Sequence, residues 1–191
     1  MSPLDARPII VALAGPNGAG KSTFYHAYLA PAGLRFLNAD DLARGLSIDA
    51  FEAMQLANRE RQELVEQGES FVFETVLSDP VGDKVDFLRR AASRGYTVVM
   101  IFIGLDDAEI SEQRVAMRVM QGGHDVPAEK LAARFPRTMQ NLRRAIELLP
   151  QVLVFDNSDL ARPFRQVAEF RDGKLLSASE PIPPWLPVDK K

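Results

Sequence analysis

Gly15-Pro16-Asn17-Gly18-Ala19-Gly20-Lys21-Ser22-Thr23 decides how the rest of this chain is read. The first eight of these residues match G-x-x-x-x-G-K-[ST] in full, the pattern of a phosphate-binding loop. The run before it, residues 9–14, is apolar throughout, as in a strand buried on both faces. Residues 21–29 after it read as a helix that stops before Pro31. Strand, loop and helix in that order turn backbone N–H groups and the positive end of a helix towards an anion. Lys21 then reaches the β- and γ-phosphates of a nucleotide, and the Ser22 hydroxyl is offered to Mg²⁺. The chain has neither the Asn-Lys-x-Asp pattern of GTPases nor the Leu-Ser-Gly-Gly-Gln signature of transporter ATPases. ATP with Mg²⁺ is therefore the expected ligand, in a stand-alone enzyme.

Outward from the loop, short apolar runs alternate with helical stretches. Residues 35–38, 71–73, 97–103 and 152–155 read as further strands, and 50–67, 81–94 and 108–120 as helices. In 50–67 the core face is expected to hold Phe51, Met54, Ala57 and Leu64. Pro127 opens another helix, which Pro136 is expected to kink before it ends near Pro150. The alternation predicts an α/β fold, a parallel five-stranded sheet covered by helices on both faces. A small C-terminal hairpin, 167–171 with 174–176, turns at Asp172-Gly173. One domain is expected, with a core over about 8–160 and an appendage over about 161–191 whose Pro-rich end packs back around Trp185.

Bulk properties narrow the partners. A formal net charge of -3 argues against a general nucleic-acid binder. With 0 cysteines, disulfides and thiolate metal sites are excluded, which fits a reducing compartment. No run approaches the length of a membrane span, and the start lacks a hydrophobic signal core. A cytoplasmic protein is the expectation.

In open α/β sheets ligands bind at the carboxyl ends of the strands, and three of the predicted strands end in acids. Asp40-Asp41 follows the second, Glu74-Thr75 the third, and Asp156-Asn157 the fifth. Phosphoryl transfer to an alcohol needs a carboxylate to orient and deprotonate the attacking hydroxyl. Asp40 reads equally as that base or as a helix N-cap. Glu74 is a poor structural choice at the end of a buried apolar strand. Residues 156–158 line an adenine pocket or form a plain loop.

Gly15 to Thr23, Asn38-Ala39-Asp40, Phe71-Val72-Phe73-Glu74-Thr75, Arg114-Val115, Gly122-Gly123-His124-Asp125-Val126-Pro127 and Asn141-Leu142 run in order over about 8–160. The chain thereby resembles the zeta toxin family of P-loop kinases. The resemblance implies a nucleoside-monophosphate-kinase-like fold and transfer of the ATP γ-phosphate to a small hydroxylated acceptor. In characterised members the acceptor is UDP-N-acetylglucosamine, phosphorylated at its 3′-hydroxyl. By position Asp40 would be the general base, Glu74 would hold the acceptor sugar and Arg114 would stabilise the transferred phosphate. An antitoxin protein is implied as a partner. The chain departs from the family branch in having Val76 where a second threonine usually follows Glu-Thr, and His124 where the toxin carries a second lid arginine.

Arg114 and Arg118 share a helix face, which without the resemblance would read as a solvated basic surface. Thr75, Arg118, His124 and Arg134 complete the expected acceptor contacts. His124 reads either as a lid contact or as a loop residue pairing with Asp125, and a mobile lid is expected over about 120–126.

Overall fold

The computed structural model describes residues 6–120 and 126–186. The central strand is β1 (Ile9–Ala14), with every residue buried. After the loop, α1 (Lys21–Phe24) runs on as a π-helical turn, Tyr25–Leu29, and a 3-10 turn, Ala30–Ala32. The chain continues through β2 (Arg35–Leu37), α2 (Ala39–Leu46), α3 (Ala50–Glu66), β3 (Phe71–Thr75), α4 (Asp83–Ser93) and β4 (Thr97–Gly104). It then passes through α5 (Ala108–Met120), α6 (Ala128–Leu148), β5 (Gln151–Asp156), β6 (Arg165–Arg171) and β7 (Lys174–Ala178).

The strands form one seven-stranded sheet in the order β2-β3-β1-β4-β5-β6-β7. The first five are parallel, as the alternation predicted. The hairpin β6-β7 joins the same sheet by antiparallel pairing to β5 instead of standing apart from it. β1 lies between β3 and β4, so its carboxyl end opens where the chain's connections diverge to either side. That switch point is where a ligand crevice forms in such sheets.

Buried side chains fill both faces of the sheet. One layer joins Phe71, Phe73 and Met100 to Leu64 of α3, Leu88 of α4 and Leu142 of α6. The other joins Val11, Leu13 and Ile101 to Phe24 of α1 and Leu105. The Pro-rich end packs back as expected, with Leu186 buried and Trp185 against Phe102.

One local expectation is corrected. The buried stripe of α3 is Ala53, Ala57, Arg61 and Leu64, while Phe51 and Met54 are exposed. Small side chains face the body of the protein at those turns, so the apolar periodicity taken from the large residues was rotated. Pro136 lies inside α6, which runs on to Leu148, next to the expected end near Pro150.

Candidate active site

The phosphate loop is held from three sides. From beneath, Lys21 is 6% exposed and its Nζ donates to the carbonyls of Gly15 (3.0 Å) and Pro16 (2.9 Å). From α5, Ser111 Oγ donates to Asn17 O at 2.7 Å. The contact leaves no room for a side chain on Gly18, whose Cβ would lie 2.9 Å from Ser111 O and 3.0 Å from Arg114 Cβ. From the β5–β6 connection, buried Asn157 donates through Nδ2 to Ala19 O at 2.9 Å and accepts from Phe164 N at 3.2 Å. A Cβ on Gly20, where φ is +87°, would meet that amide nitrogen at 2.9 Å. The glycines thus serve close approach as well as backbone conformation. Of residues 156–158, Asn157 braces the phosphate loop, while Asp156 ends β5 and Ser158 accepts from Arg114 and from Asp106 N.

Two acids reach the site from neighbouring elements. Glu74, at the end of β3, accepts at Oε2 from Ser22 Oγ (3.0 Å) and from Asn38 Nδ2 (3.1 Å), and its Oε1 lies 3.8 Å from Lys21 Nζ. Asn38 is the N-cap of α2, its Oδ1 accepting from Asp40 N at 2.8 Å. The capping role open to Asp40 from the sequence therefore belongs to Asn38, and the Asp40 carboxylate is exposed in the first turn of α2. Burial lowers the Lys21 pKa, the charges of Glu74 and then Asp40 oppose that shift, and the charge of Arg118 adds to it. Glu74, Asp40 and Arg118 thus all act on the buried ammonium.

Other expected residues are less engaged with that centre. Arg114 Nη2 donates to Ser158 O at 3.0 Å, and burial lowers its pKa against the opposing charge of Asp156. The Thr75 hydroxyl accepts from Leu77 N at 3.0 Å, within its own loop. Thr23 is exposed beside Ser22, and Arg134 is half-buried on α6. Gly122, Gly123 and His124 lie outside the described residues. Sequence reasoning missed Ser111 and Thr138, and it named Asn38 and Asn141 without their functions. Thr138 Oγ1 donates to Val76 O at 2.8 Å, and Asn141 Nδ2 to Leu77 O at 2.8 Å and Asp79 O at 2.9 Å. They fix the loop that leaves Glu74.

Among the described residues no three or more His, Cys, Asp or Glu side chains stand together as a metal site. One hydroxyl and one carboxylate at the phosphate loop suit Mg²⁺, whose remaining positions are usually taken by phosphate oxygens and water. Among the described residues no helix is long and apolar enough to cross a membrane.

The sheet order, with a lysine-bearing loop after its central strand, defines the P-loop kinase fold. The zeta toxin family model matches residues 37–167, a span that begins after the phosphate loop and covers more than half of the chain. The chain belongs to the zeta toxin family. No curated protein matches it. Among solved structures it is similar to the AvrRxo1-ORF1:-ORF2 complex with ATP, at 20% identity and a TM-score of 0.71, covering 92% of this chain and 62% of that one. The native form of that complex gives 21% identity, a TM-score of 0.70 and coverage of 94% and 64%. This chain thus spans less than two thirds of that relative's length. The PezAT toxin-antitoxin system of Streptococcus pneumoniae gives 17% identity, a TM-score of 0.55 and coverage of 85% and 72%.

Proposed function

We propose that this chain is an ATP- and Mg²⁺-dependent kinase that transfers the γ-phosphate to a hydroxyl of a small molecule, with UDP-N-acetylglucosamine as the first acceptor to test. The observation that carries the reading is the meeting of Lys21, Ser22 and Glu74 at the mouth of the phosphate loop, with Asp40 acting on the same ammonium. Family membership and the fold support it. The loop N–H groups and Lys21 bind the phosphates, with Lys21 exchanging its carbonyl partners for phosphate oxygens. Ser22 and Glu74 would hold Mg²⁺, which neutralises charge on the phosphates when bound.

Asp40 accepts the proton of the acceptor hydroxyl while that oxygen forms its bond to the γ-phosphorus. The bond from phosphorus to the bridging oxygen breaks, and ADP leaves. Arg114 and Arg118, on the α5 face beside the loop, supply positive charge as the phosphoryl group moves. The cavity of about 300 Å³ lined by Asp156, Ser158 and Arg162 is offered to the adenine end of ATP. An antitoxin partner and a cytoplasmic place of action belong to the same proposal. PezAT, to which the fold is similar, is a toxin-antitoxin system.

The test is mass spectrometry of UDP-N-acetylglucosamine incubated with ATP, Mg²⁺ and the protein. The expected product is heavier by one phosphoryl group, and ADP appears in equal amount. A different alcohol acceptor on the same scaffold is the second reading, favoured by Val76 at the position of the usual second threonine. It predicts ATP consumption with another acceptor and none with UDP-N-acetylglucosamine. Tight ATP binding with no transfer to any acceptor would instead leave a nucleotide-binding switch.

A further inference from the structure

The C-terminal segment is tied down beside the crevice along its whole length. Ser179 N donates to Val167 O at 3.0 Å, and buried Leu186 donates through its N–H to Pro183 O at 3.1 Å. Arg165, at the start of β6, joins this segment to the end of β5. Its Nη1 donates to Ser179 O at 3.3 Å, and its Nη2 to Pro181 O at 2.9 Å and to Asp156 Oδ2 at 3.4 Å. Glu180 Oε2 accepts from Ile182 N at 3.1 Å. The Trp185 ring lies against the backbone of Gly104, where a Cβ would stand 2.2 Å from it. β4 thus ends on a glycine that lets the segment lie across it.

That packing makes residues 181–184 part of the lining of the cavity of about 300 Å³ that Asp156 and Ser158 also line. Between those two residues, Asn157 bonds Ala19 O of the phosphate loop, and Ser158 O accepts from Arg114, whose Cβ approaches Gly18. The cavity therefore borders the braces of the loop. Other cavities, at the amino ends of β1 and β3 and beside α3, touch none of them. Ile110 of α5 reaches the cavity from one apolar layer and Ile182 from the other. Three of the four residues 181–184 are proline, with a fixed φ and no N–H to hydrate. Asp106 and Arg162 bring charged groups to the same lining. Apolar surfaces with a few polar groups among them suit a planar heterocycle.

We propose that residues 181–184 are the wall of the nucleotide site that holds the adenine end of ATP, with Arg165 as the positioning residue that fixes them to β5. The assignment rests on the kinase reading of the site. Residues 168–186 lie outside the span that matches the family model, so this role is not one carried over by membership. The prolines make the wall rigid before the nucleotide arrives, and little ordering entropy is lost when the base docks. Arg165 bonds no atom of the phosphate loop, and its effect reaches the nucleotide only through the segment. The wall distinguishes a nucleoside triphosphate from a bare polyphosphate, which engages the loop and Lys21 alone.

Calorimetry with AMP-PNP and with inorganic tripolyphosphate, each with Mg²⁺, separates the wall from the loop. Wild type is expected to bind AMP-PNP about tenfold or more tightly than tripolyphosphate, because the adenine end buries apolar surface. Arg165→Lys keeps the charge but cannot span the three acceptors that the planar fork reaches. Ile182→Asn puts an amide into the apolar wall at a half-buried position. Each should remove most of the AMP-PNP margin and leave tripolyphosphate affinity unchanged. Arg171→Lys, at the far end of β6, should change neither. If Ile182→Asn does not fold, as judged by circular dichroism, Arg165→Lys decides. A margin kept in the folded variants, or a wild type with no margin, overturns the wall. Equal weakening of both ligands also overturns it, since the segment would then act on the loop. If wild type binds neither ligand, the nucleotide reading itself falls and the wall with it.

Discussion

Asp40→Asn separates the two roles that an acid at the start of α2 can have. In the structure the cap is Asn38, which accepts from Asp40 N at 2.8 Å whatever side chain follows. The substitution therefore leaves the cap intact and removes one of the two acids, Asp40 and Asp41, in the first turn. A carboxylate at that position contributes about 0.3–1 kcal/mol through the helix dipole, which is the largest stability loss expected. A lost general base costs about 10²–10⁴ in rate, or about 2.7–5.4 kcal/mol of transition-state free energy. The kinetic effect should exceed the stability effect several-fold. The assay pairs thermal melts and AMP-PNP calorimetry with initial rates of transfer to the acceptor identified by mass spectrometry. Nucleotide affinity should change little, because Asp40 bonds no loop atom and acts on Lys21 only through its charge. A transfer rate within about threefold of wild type would retire Asp40 as the base, since no general-base role survives so small a change.

Lys21→Ala should abolish ATP turnover with an unchanged circular dichroism spectrum, because the Lys21 ammonium bonds two loop carbonyls and fills no part of the apolar layers; normal turnover would sink the loop assignment. Asn157→Leu should destabilise the fold by about 2–4 kcal/mol, since Ala19 O and Phe164 N–H lose their partner in a buried setting. It should also weaken AMP-PNP binding, and a melt unchanged from wild type would show that the brace is dispensable. Burial lowers the Lys21 pKa from its ordinary value of 10.5. A group with a depressed folded pKa favours the folded state above the unfolded value, and that contribution is lost as pH falls through the folded one. Nucleotide binding needs the ammonium and runs the opposite way, so thermal protection by AMP-PNP should shrink as pH rises towards 10.5. Equal protection across that alkaline range would mean that the Lys21 charge does not hold the phosphates.

What could be read from the sequence was what local chemistry encodes. Residues 9–14 have no polar position to face water, so they had to be a central strand, and all six are buried. The glycines and Lys21 announce the loop because few other arrangements use them. Glu74 was legible for the opposite reason, an acid where burial is expensive, and it is found bonded to Ser22 and Asn38. Residues whose work depends on a distant partner were not legible. Ser111 meets Asn17 across 94 positions and Asn157 meets Ala19 across 138, and a serine on a helix or an asparagine after a strand carries no mark of such a partner. The buried stripe of α3 did leave a trace, since Ala57, Arg61 and Leu64 recur on it at helical spacing. The large exposed side chains of Phe51 and Met54 drew the predicted face away from it.

The bracing contacts divide the site between two helices that are consecutive in the chain. α5 steadies the phosphate loop through Ser111 and the close approach of Arg114 to Gly18. α6 steadies the loop after Glu74 through Thr138 and Asn141, and Arg144 extends the grip by donating to Val81 O at 3.3 Å and to both Asp86 oxygens at 2.9 Å. The phosphate loop and the loop after Glu74 are thus steadied by separate helices, one ending at Met120 and the other beginning at Ala128. In-line transfer requires the two substrates to be held at a fixed separation to within a fraction of an ångström. In the proposed reading that separation would be set by the packing of α5 on α6 together with the hydrogen bonds running Ser22–Glu74–Asn38. Glu74 accepts from both Ser22 and Asn38, so in the proposed reading its carboxylate would register the acceptor against the phosphate loop.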